Sequence, residues 1–267
     1  MALTHLLILA LIQGITEFLP ISSSGHLILL PNLTGMADQG QALDVAVHVG
    51  TLLAVILYFW SDVKIVTLGG GRLIRGKIDT QGAFWALCLI IATIPVILVG
   101  LALKLSGLND LLRSTAVIGW TMLLFGIVLY WADQTGPTTK RAESWSLKDA
   151  TIMGLWQALA LIPGTSRSGI TITAGRQLGY DRESAARLSM LMSIPTILAS
   201  GALLSIEVAQ EADMGIMRDA GIAAVFAFLA ALAALKLMFK LLKSVSFTPY
   251  VIYRVILGVV LLIIAYT

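Results

Sequence analysis

Two short polar segments interrupt an otherwise apolar chain. The first supplies three hydroxyls, a flexible turn and an imidazole: Ser22, Ser23, Ser24, Gly25 and His26. Glycine permits positive φ and close backbone approach, and free N–H groups at the start of a helix after this segment would form an anion site. A hydroxyl beside a histidine or glutamate is an activated nucleophile or a phosphate ligand, whereas serine alone is commonly a cap. Three serines beside a histidine favour a chemical role.

The second polar segment contains an arginine between two hydroxyl-bearing residues: Thr165, Ser166, Arg167, Ser168 and Gly169. A guanidinium that is removed from water prefers a bidentate oxyanion, and phosphate has the matching geometry. The structural alternative is an ion pair between Arg167 and Glu17. Both interpretations hold if Arg167 pairs with Glu17 in the absence of substrate and binds phosphate when substrate is present. We therefore expect Arg167 to contact phosphate.

Glu17 follows Gln13 by four residues, which places both side chains on one face of a helix. A carboxylate in lipid costs several kcal/mol, so Glu17 must face protein, water, a cation or a proton. A protonated glutamate that packs two helices is the structural alternative. Oxygen ligands from Glu17 and Gln13, completed by a diphosphate, would suit Mg²⁺ or Ca²⁺.

The composition indicates an integral membrane protein. Of the 267 residues, 58% are hydrophobic and 12% charged, whereas a soluble domain is about 25% charged. Blocks of about 20 apolar residues are long enough to cross about 30 Å of hydrocarbon, and six are found, at 43–60, 83–104, 113–132, 186–206, 220–240 and 248–267. The net charge of +3 does not indicate nucleic-acid binding, because the basic residues lie in short loops between these blocks.

Two further apolar stretches, at about 3–34 and 148–180, contain the polar segments. Proline and glycine within each segment prevent a continuous helix. Broken backbone at membrane depth is tolerated only where protein or a wet cavity surrounds it. Both stretches therefore predict re-entrant hairpins, in which a helix enters, turns and leaves on the same side.

The two hairpins repeat four residue types at a constant offset of 144 positions: Gln13 and Gln157, Ser22 and Ser166, Ser24 and Ser168, Gly25 and Gly169. Each hairpin precedes three spans, and an odd number of spans starts the second copy on the opposite side. The pattern predicts one all-α membrane domain, 1–267, with inverted-topology repeats at about 1–135 and 148–267, whose hairpins meet near the midplane.

The loop charges agree with six spans. One side collects thirteen basic residues: Lys64, Arg72, Arg75, Lys77, Lys140, Arg141, Lys148, Arg176, Arg182, Arg187, Lys236, Lys240 and Lys243. The other side has Lys104, Arg113 and Arg218. The positive-inside rule puts the rich side in the cytoplasm, so the loops 30–43 and 207–219 are expected outside.

At these residues the chain resembles the undecaprenyl-diphosphate phosphatase, or bacitracin-resistance, family of bacterial inner membranes. The first signature matches residues 14–26, GITEFLPISSSGH, and the second matches residues 163–169, PGTSRSG. Trp60, the Ile94-Pro95 pair and the closing FTPYVIYR of residues 247–254 are also similar to the family. The resemblance covers essentially the whole chain.

The resemblance implies hydrolysis of the C55 lipid diphosphate to its monophosphate, which recycles the carrier for peptidoglycan synthesis and confers bacitracin resistance. It also implies divalent-cation dependence, a site open to the periplasm, and homodimers. By position Ser23 matches the nucleophile, Glu17 and His26 the acid–base or metal-linked residues, and Arg167 the phosphate-binding arginine. Gln13 stands where many members have a second glutamate, and it cannot supply that charge.

Our hypothesis from the sequence is therefore a membrane phosphatase, with attack by Ser23 or directly by water. The alternative is a lipid-carrier flippase or transporter, since these also use inverted repeats and broken helices. Ion coupling would favour an acid in each repeat, but Leu161 occupies the position that matches Glu17. Two other polar residues within spans receive structural interpretations: His48 as a hydrogen-bonded core histidine, and Arg254 as a snorkelling or ion-paired side chain.

Overall fold

The computed structural model describes residues 3–34, 40–108, 110–208 and 214–267, and within these ranges the chain is helical without β-strands. The helices are α1 Leu3–Thr16, α2 Ser23–Thr34, α3 Gln41–Tyr58, α4 Trp60–Leu73, α5 Gln81–Ser106, α6 Thr115–Thr135, α7 Leu147–Ala158, α8 Arg167–Gln177, α9 Arg182–Val208, α10 Met214–Leu241 and α11 Thr248–Tyr266. An all-α fold is confirmed.

Among the described residues, six helices are long and apolar enough to cross a membrane: α3, α5, α6, α9, α10 and α11. Each overlaps one of the six apolar blocks over most of its length, so the predicted number of spans is confirmed. The loops expected outside, 30–43 and 207–219, lie partly beyond the described residues. The segment 61–82, placed between spans by the sequence, contains a further helix, α4, which packs along α5.

Both broken stretches form a helix, a polar turn and a second helix. In the first, α1 ends at Thr16 and α2 begins at Ser23. In the second, α7 is followed by a short 3₁₀ turn, Leu159–Leu161, and α8 begins at Arg167. The predicted interruption of each helix at its Ser/Gly-rich segment is therefore confirmed.

The first arm of each hairpin packs against a span of the other half of the chain. α1 packs along α10, and α7 packs along α5. Glycine allows both approaches: a Cβ at Gly14 would lie 2.5 Å from the Ala230 Cβ, and one at Gly154 would lie 2.6 Å from the Ala92 carbonyl oxygen. Small residues let helix backbones approach closely in this way. These contacts join the first helix of each broken stretch to the other half of the chain.

The far end of α8 is held by Arg176, one of the largest fully buried side chains. Its guanidinium donates to the Asp133 carboxylate at 3.2 Å and to backbone carbonyls that include Gly136 at 2.9 Å. Because Asp133 lies in the last turn of α6, this cluster joins α6 to α8. The N-terminal end of α8, where the second polar turn lies, is thereby kept in register with α6.

Candidate active site at the two polar turns

The two turns have the same local geometry. Ser22 and Ser166 have φ values of 73° and 71°, although neither is glycine. Each hydroxyl accepts a hydrogen bond from the backbone N–H three residues later, Gly25 at 3.3 Å and Gly169 at 3.2 Å. Each serine therefore caps its helix in a strained left-handed conformation. Such strain persists where the surrounding structure over-determines it, and it concentrates at functional sites.

Arg254 connects the two turns by hydrogen bonds to both. Its guanidinium donates to the Pro20 carbonyl of the first turn at 3.3 Å and to the Gly164 and Thr165 carbonyls of the second at 3.1 and 2.9 Å. Further donations reach carbonyls of α6. The interpretation of Arg254 as snorkelling or ion-paired was wrong: the side chain is fully buried, and its acceptors among the described residues are backbone carbonyls.

Direct contacts also join the turns. The Ser168 hydroxyl of the second turn donates to the Leu19 carbonyl of the first at 2.9 Å. A Cβ at Gly25 would lie 3.6 Å from the Gly164 Cα, so the backbones are close neighbours. Two segments that are far apart in sequence therefore form one polar centre.

A cavity of about 160 Å³ opens at this centre. Six residues named by the sequence line it: Glu17, Ser22, Ser23, Ser24, Ser166 and Arg167. Three polar residues that the sequence analysis did not assign to the site also line it, namely His48 of α3 and Thr196 and Ser200 of α9. The cavity thus combines one carboxylate, one guanidinium, one imidazole and several hydroxyls.

Glu17 and Arg167 form a buried ion pair in the cavity. Arg167 Nη2 lies 2.5 Å from Glu17 Oε1, and the two side chains are 13% and 6% exposed. The other carboxylate oxygen, Oε2, accepts hydrogen bonds from Ser23 Oγ at 2.7 Å and Gln13 Nε2 at 2.9 Å. The Ser23 hydroxyl is therefore directed to a carboxylate that can accept its proton.

Arg167 also has an unsatisfied donor. Its Nη1 atom is buried and has no hydrogen-bond partner among the described residues. An unpaired charged donor costs considerable free energy away from water. A phosphate oxygen in the cavity would satisfy it.

Gln13 leaves a buried acceptor without a partner, because its Oε1 receives no hydrogen bond from the described residues. Among those residues no group of three or more His, Cys, Asp and Glu side chains could enclose a metal ion. Glu17 and Gln13 nevertheless offer a carboxylate and a free amide oxygen. This small oxygen set fits a cation such as Mg²⁺, which usually takes one or two carboxylates and completes its shell with water and substrate phosphates.

Comparison with known proteins decides the family. The family model described as bacitracin resistance protein BacA matches residues 6–260. The chain is 72% identical to an undecaprenyl-diphosphatase of Dinoroseobacter shibae and 71% identical to one of Jannaschia sp., each over the full length of both chains. It is 45% identical to one of Chromohalobacter salexigens, over 97% of each chain. The chain belongs to the BacA family.

Within this BacA-family site, four predicted phosphate ligands lie outside the cavity lining: Gly25, Thr165, Ser168 and Gly169. Ser168 is engaged with Leu19, and Gly169 donates to the capping Ser166. Thr165 is fully buried, and its hydroxyl has no partner among the described residues. These four build the turns, whereas Ser22, Ser23, Ser24 and Ser166 present hydroxyls to the cavity.

His26 also lies outside the cavity lining. Its Nδ1 is 2.6 Å from the Ser22 carbonyl oxygen, and its Nε2 is 2.5 Å from the Tyr253 hydroxyl. The imidazole further stacks on the Tyr253 ring at 5.7 Å. Nδ1 therefore makes a local contact at the start of α2, and Nε2 joins α2 to α11.

His48 is the titratable residue of the cavity lining that the sequence analysis missed. Its Nδ1 is 2.7 Å from the Asp44 carbonyl oxygen, as expected for a hydrogen-bonded histidine. The interpretation as a core residue was nevertheless wrong, because its side chain is 36% exposed and its Nε2 lies 3.8 Å from Glu17 Oε2. The signal was available, since a titratable residue within a span is a functional candidate by default. The sequence does not show in which direction the His48 side chain points from α3.

Proposed function

We propose that this chain is an undecaprenyl-diphosphatase, which hydrolyses a polyprenyl (C55) diphosphate to the monophosphate and inorganic phosphate. Its curated relatives at 72% and 71% identity are named for this activity. The observation that carries the assignment to residues is the shared cavity of the two turns. There, Glu17, Ser23 and an Arg167 with a free donor meet beside apolar helices. A lipid with phosphates in its head group and a prenyl chain as its tail matches the polar cavity and the apolar helices beside it.

The first chemical step is assigned to Ser23. Its Oγ attacks the terminal phosphorus, and the bond from that phosphorus to the bridging oxygen breaks, releasing the lipid monophosphate. The hydroxyl proton passes to Glu17, whose Oε2 lies 2.7 Å from Ser23 Oγ. Water then cleaves the phosphoserine, and Glu17 returns the proton to Ser23. Direct attack by water, with Ser23 as a phosphate ligand, is the competing route, and turnover retained by Ser23→Ala would favour it.

Arg167 stabilises the charge on the phosphoryl oxygens. Most of the catalysis in phosphoryl transfer lies in such positioning and electrostatic stabilisation. The free Nη1 supplies a donor without breaking the pair with Glu17. A divalent cation, Mg²⁺ or Ca²⁺, held by Glu17 and Gln13 together with the diphosphate, would neutralise further phosphate charge. The hydroxyls of Ser22, Ser24 and Ser166 donate to the remaining oxygens.

We assign the protein to the bacterial inner membrane, where the activity would recycle the lipid carrier for cell-wall synthesis and confer bacitracin resistance. The family membership and the six apolar helices support this assignment. The reciprocal packing of α1 on α10 and α7 on α5 supports inverted repeats with two re-entrant hairpins. The basic residues at one end support a cytoplasmic location for that end and a periplasmic opening of the cavity. Homodimer formation is proposed from the family resemblance alone.

Labelling with a membrane-impermeant maleimide tests the orientation. The natural Cys88 is buried, so single cysteines can be introduced on a low background. Arg218→Cys should label from the periplasm of intact cells, and Lys140→Cys only after permeabilisation. The reverse pattern would overturn the orientation, and crosslinking of the same purified proteins reports the dimer.

The activity itself is tested by phosphate release from C55 diphosphate by purified protein in detergent. We expect Ser23→Ala, Glu17→Ala and Arg167→Ala each to lose at least about 100-fold in kcat. Matched controls are Ser106→Ala and Arg72→Ala, whose side chains are exposed and lie outside the cavity. Wild-type protein without turnover, assayed with Mg²⁺ and with Ca²⁺, would refute the assignment. Full activity of Arg167→Ala would remove its phosphate role.

A further inference from the structure

The cavity wall contains an imidazole, His48, that the proposed reaction does not use. Its Nδ1 lies 2.7 Å from the Asp44 carbonyl oxygen. Its Nε2 lies 3.8 Å from Glu17 Oε2. Of the two ring nitrogens, Nε2 is therefore the one placed to exchange a proton with a group in the cavity.

The other candidates for this role are occupied or cannot titrate. Both nitrogens of His26 are bonded, and the ring is outside the cavity lining. Gln13 is a neutral amide. Glu17 accepts from Arg167, Ser23 and Gln13, and after the first step it carries the serine proton. A second acceptor is therefore needed when water attacks.

We propose that His48 is the general base that activates the hydrolytic water, an inference that rests on the proposed function. The water oxygen forms a bond to phosphorus while the bond to Ser23 Oγ breaks. The water proton passes to His48 Nε2, Glu17 returns its proton to Ser23, and inorganic phosphate leaves. His48 then releases its proton to solvent through the open cavity.

The charges around His48 are consistent with a base that gains a proton. Glu17 faces it directly, Arg167 lies across the cavity, and α9 contributes the hydroxyls of Thr196 and Ser200. α10 packs along α3 with Gly50 against Ala224. The charged and titratable groups near the N-terminal ends of α3, α10 and α1 are Asp44, Arg218, Asp219 and His5. Glu17 therefore offers a negative partner to the imidazolium.

The test compares wild type with His48→Gln and His48→Asn in the C55 diphosphate assay. We expect kcat to fall about 100-fold or more with little change in KM. The variants should release one equivalent of lipid monophosphate in a burst while Ser23 stays phosphorylated, as detected by mass spectrometry. Imidazole added to His48→Ala should restore phosphate release. His5→Gln, which removes an imidazole outside the cavity lining, should release phosphate at the wild-type rate and show no burst.

A His48→Gln variant with the wild-type kcat and no phosphoserine burst would overturn the role of His48 while leaving the phosphatase intact. Inactive wild type would instead refute the proposed function. A folded but inactive His48→Ala that imidazole does not rescue would assign the residue a structural role and also refute the proposal. Melting temperatures of the variants separate loss of fold from loss of chemistry.

A second, independent feature is a basic cavity of about 420 Å³ at the end of the molecule where α3 and α10 end and α9 begins. Lys236, Lys240 and Lys243 line it, and the ion pairs found among the described residues involve none of them. Arg187 also lines it but is paired with Asp62 and Glu143. One carboxylate, Glu183, faces the three lysines, so the cavity carries excess positive charge.

The walls of this cavity suit a lipid. Tyr58, Phe59 and Phe239 form an aromatic cluster with ring centroids 4.9 to 5.5 Å apart. The adjoining faces of α3 and α10 expose Leu57 and Leu237. Aromatic and apolar groups next to a lysine cluster match a phosphate-bearing head group with its acyl chains in the membrane, since basic pockets between spans bind such head groups. We infer that this cavity binds the phosphate group of an anionic lipid.

Native mass spectrometry of the full-length protein in detergent tests this site, with phosphatidylglycerol and phosphatidylcholine as probes. The triple variant Lys236→Ala, Lys240→Ala, Lys243→Ala should bind phosphatidylglycerol at least about tenfold more weakly than wild type. The control Arg72→Ala, Arg75→Ala, Lys77→Ala removes three exposed charges from outside the cavity and should bind normally. Equal weakening by both triples would overturn the site. Competition by millimolar inorganic phosphate, without preference between the lipids, would assign it to free phosphate instead.

Discussion

Arg167 and Glu17 are 150 positions apart in the chain, yet their side chains form an ion pair of 2.5 Å inside one cavity. Breaking a buried pair by removing one partner leaves an uncompensated charge, which costs about 3–5 kcal/mol. The pair therefore has a structural effect as well as a chemical one. The structural effect appears in the free energy of unfolding and the chemical effect in kcat.

Glu17→Gln and Arg167→Gln should each reduce kcat by at least about 100-fold, because each removes a group aligned with Ser23 or the phosphate. The double variant should be less stable than wild type by much less than the sum of the single losses, since it leaves no unpaired charge. Thermal unfolding in detergent and phosphate release measure the two effects. Additive losses of stability would contradict a direct pair.

Arg254→Lys should lower both stability and kcat, because an ammonium cannot reach the carbonyls of Pro20, Gly164 and Thr165 together. Leaving buried carbonyls unpaired costs about 1–3 kcal/mol. KM should change less than kcat, since the turns lose alignment rather than ligands. Arg72→Lys on the surface serves as the control. Wild-type stability of Arg254→Lys would show that the turns hold each other without it.

Ser166→Gly should be more stable than Ser166→Ala by about 1 kcal/mol, because glycine adopts φ near 71° without the Cβ penalty. The same order is expected for Gly and Ala at Ser22. The sign is opposite to that in a helix interior, where alanine is favoured over glycine. Unfolding midpoints of the four variants check it, with Thr67→Gly and Thr67→Ala, at an exposed position inside α4, as the helix-interior control.

Gln13→Glu should increase the affinity for divalent cations, because a second carboxylate joins Glu17 on the same helical face. Titration of activity with Mg²⁺ or Ca²⁺ after chelation measures the change. Wild type should lose activity on chelation and regain it when the cation is returned. Activity that survives thorough chelation would remove the cation from the mechanism.

Acid stability should depend on Asp149 at the basic end of the molecule, outside the six spans. Burial alone would raise the pKa of this carboxyl, but hydrogen bonds from Tyr180 at 2.7 Å and Lys140 at 2.9 Å hold the pKa below its ordinary value. The stabilisation is present above the ordinary pKa and is lost as the pH falls through the lowered one. Tyr180→Phe should shift this acid loss to higher pH and cost about 1.5–3 kcal/mol at neutral pH. An unchanged acid midpoint would contradict the assignment.

Several features of the molecule could be predicted from the sequence because they depend on local composition. The six spans follow from the length of the apolar blocks, since about 20 such residues are needed to cross the hydrocarbon. The breaks at Ser22 and Ser166 follow from proline and glycine within apolar stretches. The meeting of Arg167 with Glu17 was expected as one of two alternatives, because a lone charge in an apolar region requires a partner.

Only the tertiary structure decided which side chains face the cavity. His26 and His48 both lie in apolar helices, and nothing in the sequence shows that α11 places Tyr253 against the first while α3 turns the second towards Glu17. Arg254 likewise finds its acceptors on backbone carbonyls of two distant turns, and carbonyls are present at every residue. Composition determines that a chain must enter the membrane and where its helices break. The direction of a side chain depends on how the helices are rotated against one another, which only their packing fixes.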